Sequence, residues 1–305
     1  MRALLIMGPT ASGKSALAVT VAERIGGEII NADSMQIYGD LHVLTARPTL
    51  EDEERAPHHL YGHVDASQRY SVGRWLEQAT RMMAIVAKRG KTPIVVGGTG
   101  LYFMALTKGL AEMPAPDADV RAELEARLAA EGAPALHAVL AALDPESAAR
   151  LQPNDAPRVL RALETVQSTG APISAFQAAT KPALGADEWV GLALVREPRD
   201  ALYAAIDARF ETMLHAGALD EERALAAREL DPALPAMKAH GAPALMAHLR
   251  GESTLAEAAE IGKRDTRRYA KRQHTWIRNQ MRDWAVTGET EREKLVGLAL
   301  ELLGT

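Results

Sequence analysis

Ala3-Leu4-Leu5-Ile6-Met7 is an unbroken apolar run that stops at Gly8, the pattern of a short parallel strand covered on both faces. From Lys14 to Ile25 the apolar positions change to helical spacing, with Leu17, Val21 and Ile25 on one face, and Gly26-Gly27 ends the run. Glu28-Ile29-Ile30-Asn31 predicts a second strand. The stretch 71–89 predicts a helix carrying Trp75, Met82 and Val86, and Pro93-Ile94-Val95-Val96 a further buried strand before Gly97-Gly98. Strands alternating with helices imply a parallel sheet with helices on both faces. After about Met113 no strand pattern is found until about Asp187. Pro114, Pro116, Pro134, Pro145, Pro153, Pro157 and Pro172 divide that stretch into short helices. The sheet pattern resumes over 189–195. Helices are predicted over 199–216 and 253–284, and from Ala285 onward a loop and a weak terminal helix.

Composition narrows the class. Hydrophobic residues are 47% and charged residues 25% of 305, the balance of a folded protein rather than a disordered one. With no cysteine, disulfides, thiolate metal sites and thiol catalysis are excluded together. No apolar run approaches the ~18 residues of a membrane span, and the first residues lack a signal-peptide pattern, so the expected location is cytoplasmic and no membrane partner is expected. The net charge of −5 argues against a protein that coats nucleic acid, but the charge is uneven. Lys263, Arg264, Arg267, Arg268, Lys271, Arg272, Arg278 and Arg282 are opposed in their stretch only by Asp265. Such a cluster is either a docking site for a polyanion or a solvated helix face.

Gly8-Pro9-Thr10-Ala11-Ser12-Gly13-Lys14-Ser15 matches G-x-x-x-x-G-K-[ST] between a strand and a helix. Glycines at 8 and 13 permit the tight path that turns successive N–H groups inward, and the helix N-terminus adds partial positive charge. Lys14 supplies a full charge and the Ser15 hydroxyl can ligate Mg²⁺. The loop identifies a bound phosphate chain, not hydrolysis of ATP. No apolar strand ends in a late Asp, and no Asn-Lys-x-Asp guanine reader occurs. Asp33 follows the second strand at the edge where an open parallel sheet meets its ligand. It could ligate a metal through water, accept a proton or cap a helix. The expected architecture is α/β: a P-loop NTPase-like parallel-sheet core over 1–112 and 188–305, with a helical C-terminal region and an inserted all-helical domain over 113–187.

The phosphate loop followed by Asn-Ala-Asp-Ser-Met-Gln-Ile-Tyr at 31–38 resembles the bacterial tRNA dimethylallyltransferase (tRNA isopentenyltransferase) family. Further matching segments are Thr45-Ala46-Arg47-Pro48, Pro57-His58-His59-Leu60, Gly97-Gly98-Thr99-Gly100-Leu101-Tyr102 and Arg158-Val159-Leu160-Arg161-Ala162-Leu163-Glu164. Arg209-Phe210 with Met213-Leu214, and Lys271-Arg272-Gln273-His274-Thr275-Trp276-Ile277-Arg278, complete the series. The resemblance implies transfer of a dimethylallyl group from dimethylallyl diphosphate to N6 of the adenosine 3′ of the anticodon, with diphosphate leaving.

The resemblance also implies residue roles. The loop from Gly8 to Ser15 (Gly8, Pro9, Thr10, Ala11, Ser12, Gly13, Lys14, Ser15) would hold the diphosphate, with Mg²⁺ at Ser15. Thr10, Lys14 and Arg209 would act on the leaving group, and Asp33 as base toward the amine. Asp33, Ser34, Met35 and Gln36 would surround the flipped adenine. Thr99, Arg121, Pro157, Arg158, Val159, Leu160, Arg161, Lys238 and Gly241, with Lys271, Arg272, Gln273, His274, Thr275, Trp276, Ile277 and Arg278, would meet the tRNA anticodon arm. A monomer is expected. Three positions depart from the family pattern: Pro157 stands where Gln is common, Gly39-Asp40 where Arg follows Tyr38, and His240-Gly241-Ala242 where Val-Gly-Tyr is usual and an aromatic is lost.

Two other functions compete. A small-molecule kinase would use the same loop for ATP, and a non-catalytic RNA-binding protein would keep the loop as a relic. His58, His59, His63 and Asp65 imitate a metal cluster, but a structural or substrate-lining role is expected. Trp75, Trp189 and Trp284 are expected to be core or surface aromatics, Met82-Met83 helix packing, and Asp117 and Asp119 helix-start acids.

Overall fold

The first apolar run becomes the middle of a six-stranded sheet. The computed structural model describes residues 2–111, 113, 117–178 and 180–304, and Pro114 and Pro116 lie outside the described residues. In chain order the elements are β1 (Ala3–Met7), α1 (Lys14–Ile25), β2 (Glu28–Asn31), α2 (Leu50–Arg55), β3 (His58–His59), α3 (Val72–Lys88), β4 (Pro93–Gly97), α4 (Gly100–Thr107), α5 (Ala118–Glu131), α6 (Ala133–Leu143) and α7 (Pro145–Arg150). They continue with α8 (Ala156–Thr169), α9 (Ile173–Ala178), β5 (Trp189–Leu194), α10 (Arg199–His215), α11 (Ala218–Ala226), α12 (Ala242–Leu249), α13 (Leu255–Gln280), β6 (Ala285–Thr287) and α14 (Arg292–Leu303).

The strand order is β3-β2-β4-β1-β5-β6, and every pairing is parallel. Alternation along β1 divides the core. Leu4 and Ile6 pack with Leu17 and Val21 of α1 and Val296 of α14, whereas Leu5 and Met7 pack with Trp75 of α3, Phe103 of α4 and Ile277 of α13. Both faces are covered, which is why these strands read as continuous rather than alternating apolar runs. The chain leaves β1 for β2 on one side and later adds β5 on the other, so the carboxyl ends of β1, β2 and β4 border a crevice.

Boundaries shift where caps decide them. Ser71 stands outside α3 and accepts from Arg74 N, and a Thr254–Glu257 capping box delays α13 to Leu255. The end of α13 at Gln280, not Trp284, frees Ala285–Thr287 to form β6 beside β5. This corrects the expected loop there. Three residues are too few for an alternation signal, and the edge strand exists because β5 offers it a ladder. Trp284 is 7% exposed and lies against Gly191, where any Cβ would overlap its ring.

The chain divides into two compact units, Met1–Thr107 with Leu184–Thr305, and Lys108–Ala183. The second holds α5–α9 around Leu124, Leu136, Leu140, Val159 and Leu163. Pro134, Pro145 and Pro157 sit in the first turns of α6, α7 and α8, where their missing N–H leaves no bond unmade.

Candidate active site

The phosphate loop leaves β1 at Gly8, and two residues give it a left-handed path: Ala11 at φ 60° and Gly13 at φ 88°. Gly13 is also the N-cap of α1 and offers no side chain to its N–H groups, so the first-turn amides keep their capacity for an anion. Lys14 Nζ donates back to Pro9 O at 3.2 Å. Burial pushes the Lys14 ammonium down to about 8, against the pull of the Asp33 carboxylate and with a smaller push from Arg209. Arg209 is likewise lowered by burial and supported by Asp33. Three charged groups on three separate segments therefore share one field, a mark of a functional cleft.

Asp33 is held by its own turn. Asn31 Oδ1 accepts from Asp33 N at 2.8 Å, and Asn31 Nδ2 donates to Asp33 O and Leu60 O, each at 3.0 Å. Asp33 Oδ1 accepts from Met35 N at 2.9 Å. Ser34 N donates to Thr99 Oγ1 at 3.0 Å, which joins the end of β2 to the turn after β4.

The Gly97-Gly98-Thr99-Gly100 turn has a physical reason at each glycine. A Cβ on Gly97 would overlap the Ala32 carbonyl, one on Gly98 the Gln273 amide, and one on Gly100 the Trp276 indole. Gln273, 4% exposed, accepts from Thr10 N at 3.0 Å and donates to Gly98 O at 2.9 Å. One amide thus cross-braces the phosphate loop and the end of β4.

A pocket opens between these parts. Its polar wall includes Thr10, Asp33, Arg209, His240 and Tyr269, and its apolar wall Met35, Leu44, Ile206, Phe210 and Met213. Ile206, Phe210 and Met213 are spaced i, i+4, i+7 on α10, so one helical stripe builds most of that wall. The segment carrying Leu44 and Thr45 is held by Glu221, whose carboxylate accepts from His42 N, Val43 N and Leu44 N at 2.6, 2.7 and 2.9 Å. Sequence reasoning missed Tyr269, Ile206, Leu44 and Glu221 as site residues. The stripe on α10 was available as a periodicity signal; Glu221 carried none.

Expected RNA contacts separate by face. Lys271, Arg272, Thr275 and Arg278 are exposed on α13, as are Lys238, Arg121, Pro157 and Arg158 on their own segments. Five others are corrected, because they lie inside the protein. Val159 and Ile277 are core residues at 0% and 1% exposure, and Gly241 backs onto Phe210. Gln273 is the brace just described, and His274 is 2% exposed and faces Glu197 at 3.2 Å. On α13, Thr266 and Tyr269 line the pocket and Gln273 and Trp276 face the 97–100 turn, while Lys263 and Arg267 pair with Glu211 and Asp207 of α10 and Arg272 lies over the Tyr269 ring. In the 108–183 unit, Arg161 and Arg121 both lie 3.6 Å from the buried Glu164. Gln36 turns away from a purely ligand-facing role, because its Nε2 donates to Thr45 O and Ala46 O at 2.9 and 2.8 Å.

The three departures also find places. Asp40 pairs with Arg228 and accepts from Ala66 N, Pro157 lies in the first turn of α8, and the His240 ring lies 4.2 Å from that of Tyr269. An aromatic surface is therefore present at 240 although the tyrosine is not. His59 bonds Glu28 at 2.7 Å, His58 the Ala56 carbonyl at 2.8 Å and His63 Gln78 at 2.9 Å. Among the described residues no group of three or more His, Asp or Glu side chains is placed to hold a metal, and no helix is long and apolar enough to cross a membrane.

The Lys14 shift gives a testable pH dependence. The ammonium is charged below about 8 and neutral above it. Productive binding of a diphosphate ester is expected to weaken as pH rises through that value, by at most tenfold per unit. The measurement is kcat/KM against pH, which reports free-enzyme groups. Lys14→Arg should flatten the alkaline fall, since guanidinium does not titrate there; an unchanged profile would assign the fall to another group.

The IPP transferase family model matches residues 36–280, and an isopentenyl transferase model matches 1–61. A tRNA dimethylallyltransferase of Rhodopseudomonas palustris (strain BisB18) is 59% identical, over 92% of this chain and 89% of its own. One from Nitrobacter hamburgensis is 54% identical over 95% and 92%. Among solved structures, the full-length tRNA isopentenylpyrophosphate transferase of Bacillus halodurans superposes with TM-score 0.70 at 35% identity, over 99% of this chain and 96% of that one. A eukaryotic dimethylallyltransferase described as acting on tRNA gives TM-score 0.84 at 28% identity, over 99% and 79%.

Proposed function

The chain belongs to the IPP transferase family, and from that premise we propose that it transfers a dimethylallyl group from dimethylallyl diphosphate to N6 of the adenosine 3′-adjacent to the tRNA anticodon. In the transfer the C1–O bond of the donor breaks and a C1–N6 bond forms. Diphosphate leaves with the bonding pair, and the N6 proton passes to Asp33. The observation that carries this reading is the two-sided pocket, where Asp33, Thr10 and Arg209 share a cavity with an apolar wall. That wall suits a short hydrocarbon attached to a diphosphate and has no purpose for a phosphoryl group alone.

Each part has a physical task. The loop amides, Lys14 and Arg209 would stabilise charge that develops on the departing diphosphate. The base must be unstacked to reach Asp33, and unpaired loop adenosines are the ones that can be. The exposed Lys271, Arg272 and Arg278 would take phosphates of the anticodon arm, with Arg121, Arg158 and Arg161 as further contacts on the helical unit. The donor set fits Mg²⁺: Ser15 offers one hard oxygen at the exposed start of α1, with substrate oxygens and water left to complete the shell, which is how Mg²⁺ is commonly held. Bound there, the ion would neutralise charge on the leaving group.

The kinase alternative is not favoured, since relatives matching over nine-tenths of the chain are named tRNA dimethylallyltransferases. The deciding experiment incubates the protein with unmodified tRNA and dimethylallyl diphosphate and analyses nucleosides by mass spectrometry. N6-dimethylallyladenosine and stoichiometric diphosphate are expected. Phosphate transfer from ATP without prenylated nucleoside would overturn the reading.

A further inference from the structure

We propose that Phe210, seated on two glycines, sets the length of the isoprenoid donor and restricts it to five carbons. The proposal rests on the prenyl-transfer reading and adds the element that measures the chain. Phe210 forms part of the apolar wall together with Ile206 and Met213, and is 3% exposed. Behind it there is no slack. A Cβ on Gly262, in the N-terminal third of α13, would overlap the ring at Cζ, and a Cβ on Gly241, at the N-cap of α12, would stand 2.8 Å from Cε2. The distal edge of the ring, Cε2 and Cζ, is thus flush against main chain of both segments. The main chain of α13 and of the α12 N-cap cannot retreat as a flexible side chain can, so a longer hydrocarbon cannot push the ring deeper along that edge.

The two glycines share a function that neither shows alone. Each removes a side chain so that a bulky ring can occupy the space, and the ring then closes the pocket at a fixed depth. Gly241 also needs its φ of 98°. Gly262 is helical and carries no such backbone demand, so the close approach of Phe210 is the reason it lacks a Cβ. The residues assigned above to the reacting groups, Asp33, Thr10 and Arg209, keep their own side chains when the ring is changed. A geranyl donor would react by the same balance of bonds: C1–O breaks, C1–N6 forms, diphosphate leaves and the amine proton goes to Asp33. Only the hydrocarbon end differs. Phe210→Ala removes six ring carbons, against five added by one more isoprene unit.

The test compares dimethylallyl and geranyl diphosphate as donors to the same tRNA, with modified nucleosides weighed by mass spectrometry. The wild type should favour dimethylallyl diphosphate, with a measurable kcat/KM for geranyl diphosphate at least tenfold lower. Phe210→Ala should raise the ratio of kcat/KM for geranyl over dimethylallyl diphosphate at least tenfold. This ratio cancels the fraction of folded enzyme, and Phe210→Leu supplies a milder version should the alanine variant be poorly soluble. Gly262→Ala should act in the opposite direction, driving the ring inward and raising KM for dimethylallyl diphosphate about tenfold with KM for tRNA unchanged. Combining it with Phe210→Ala should cancel that rise, because the clash has lost its partner. A geranyl ratio within twofold of wild type in both Phe210 variants, or a Gly262→Ala defect that persists in the double variant, would overturn the proposal. Failure of the wild type to prenylate tRNA with dimethylallyl diphosphate would instead overturn the transferase reading.

Discussion

Replacing Asp33 by alanine is expected to lower single-turnover prenylation by about two to four orders of magnitude, the range commanded by a positioned general base. Affinity for tRNA should stay near wild type. Asparagine makes the sharper test. Oδ1 is occupied by the Met35 N–H, so an asparagine side chain can keep that bond and preserve the turn. The second oxygen, which lies toward Gly98, becomes an amide NH₂ and can no longer take a proton. Loss of turnover in both Asp33→Ala and Asp33→Asn, with binding retained, would locate the defect in chemistry. The carboxylate also raises the affinity of Lys14 for its proton. Removing the charge should therefore move the alkaline fall in kcat/KM to lower pH. A single-turnover rate close to wild type in Asp33→Asn would end the assignment.

Gly97→Ala is expected to be the most disruptive single-methyl change in the sheet, on the order of 4 kcal/mol, which places it among the rare large effects. The added Cβ would meet the Ala32 carbonyl, and that carbonyl cannot move away freely. Ala32 N donates to Val96 O at 2.8 Å and Ala32 O accepts from Thr99 N at 3.1 Å, so the ends of β2 and β4 are laced at this point. A thermal melt should fall by about 10 °C at the usual scaling for a protein of this size. The residual folded fraction should also turn over slowly, since Asp33 follows Ala32 directly. Gly297→Ala is the control. It lies exposed on α14 with nothing among the described residues within 4 Å of the added Cβ, and should raise stability by about 0.5–1 kcal/mol. Equal melting temperatures for Gly97→Ala and wild type would refute the packing argument.

Part of the site is legible in the order of residues. The phosphate loop declares itself because its residues act on consecutive peptide units, and Asp33 follows a strand whose apolar run is easily read. The turn at 97–100 is visible as a glycine-rich segment, but the partners that exclude a Cβ there come from Ala32, Gln273 and Trp276. The basic stretch at 263–282 is visible as charge. Which of its members face water is not, because helical phase relative to the core depends on what the helix packs against. Gln273 illustrates the limit: in sequence it belongs to a basic motif, while in the fold it is a neutral brace between two loops.

Chain-local chemistry accounts for the parallel strands, the conformation of the Gly8–Ser15 loop and the acid after β2. Each of these follows from near neighbours: apolar runs that need cover, glycines that permit a left-handed turn, and a strand end that exposes the next residue. Folding was needed for Gln273 to grip the amide of Thr10, 263 positions away, and for Phe210 to rest on Gly241 and Gly262. The same holds for the grip of Glu221 on the 42–44 turn and for β6 on the edge of β5. Those contacts join residues whose local preferences carry no trace of one another, and they arise only when the sheet order brings distant segments within van der Waals and hydrogen-bond range.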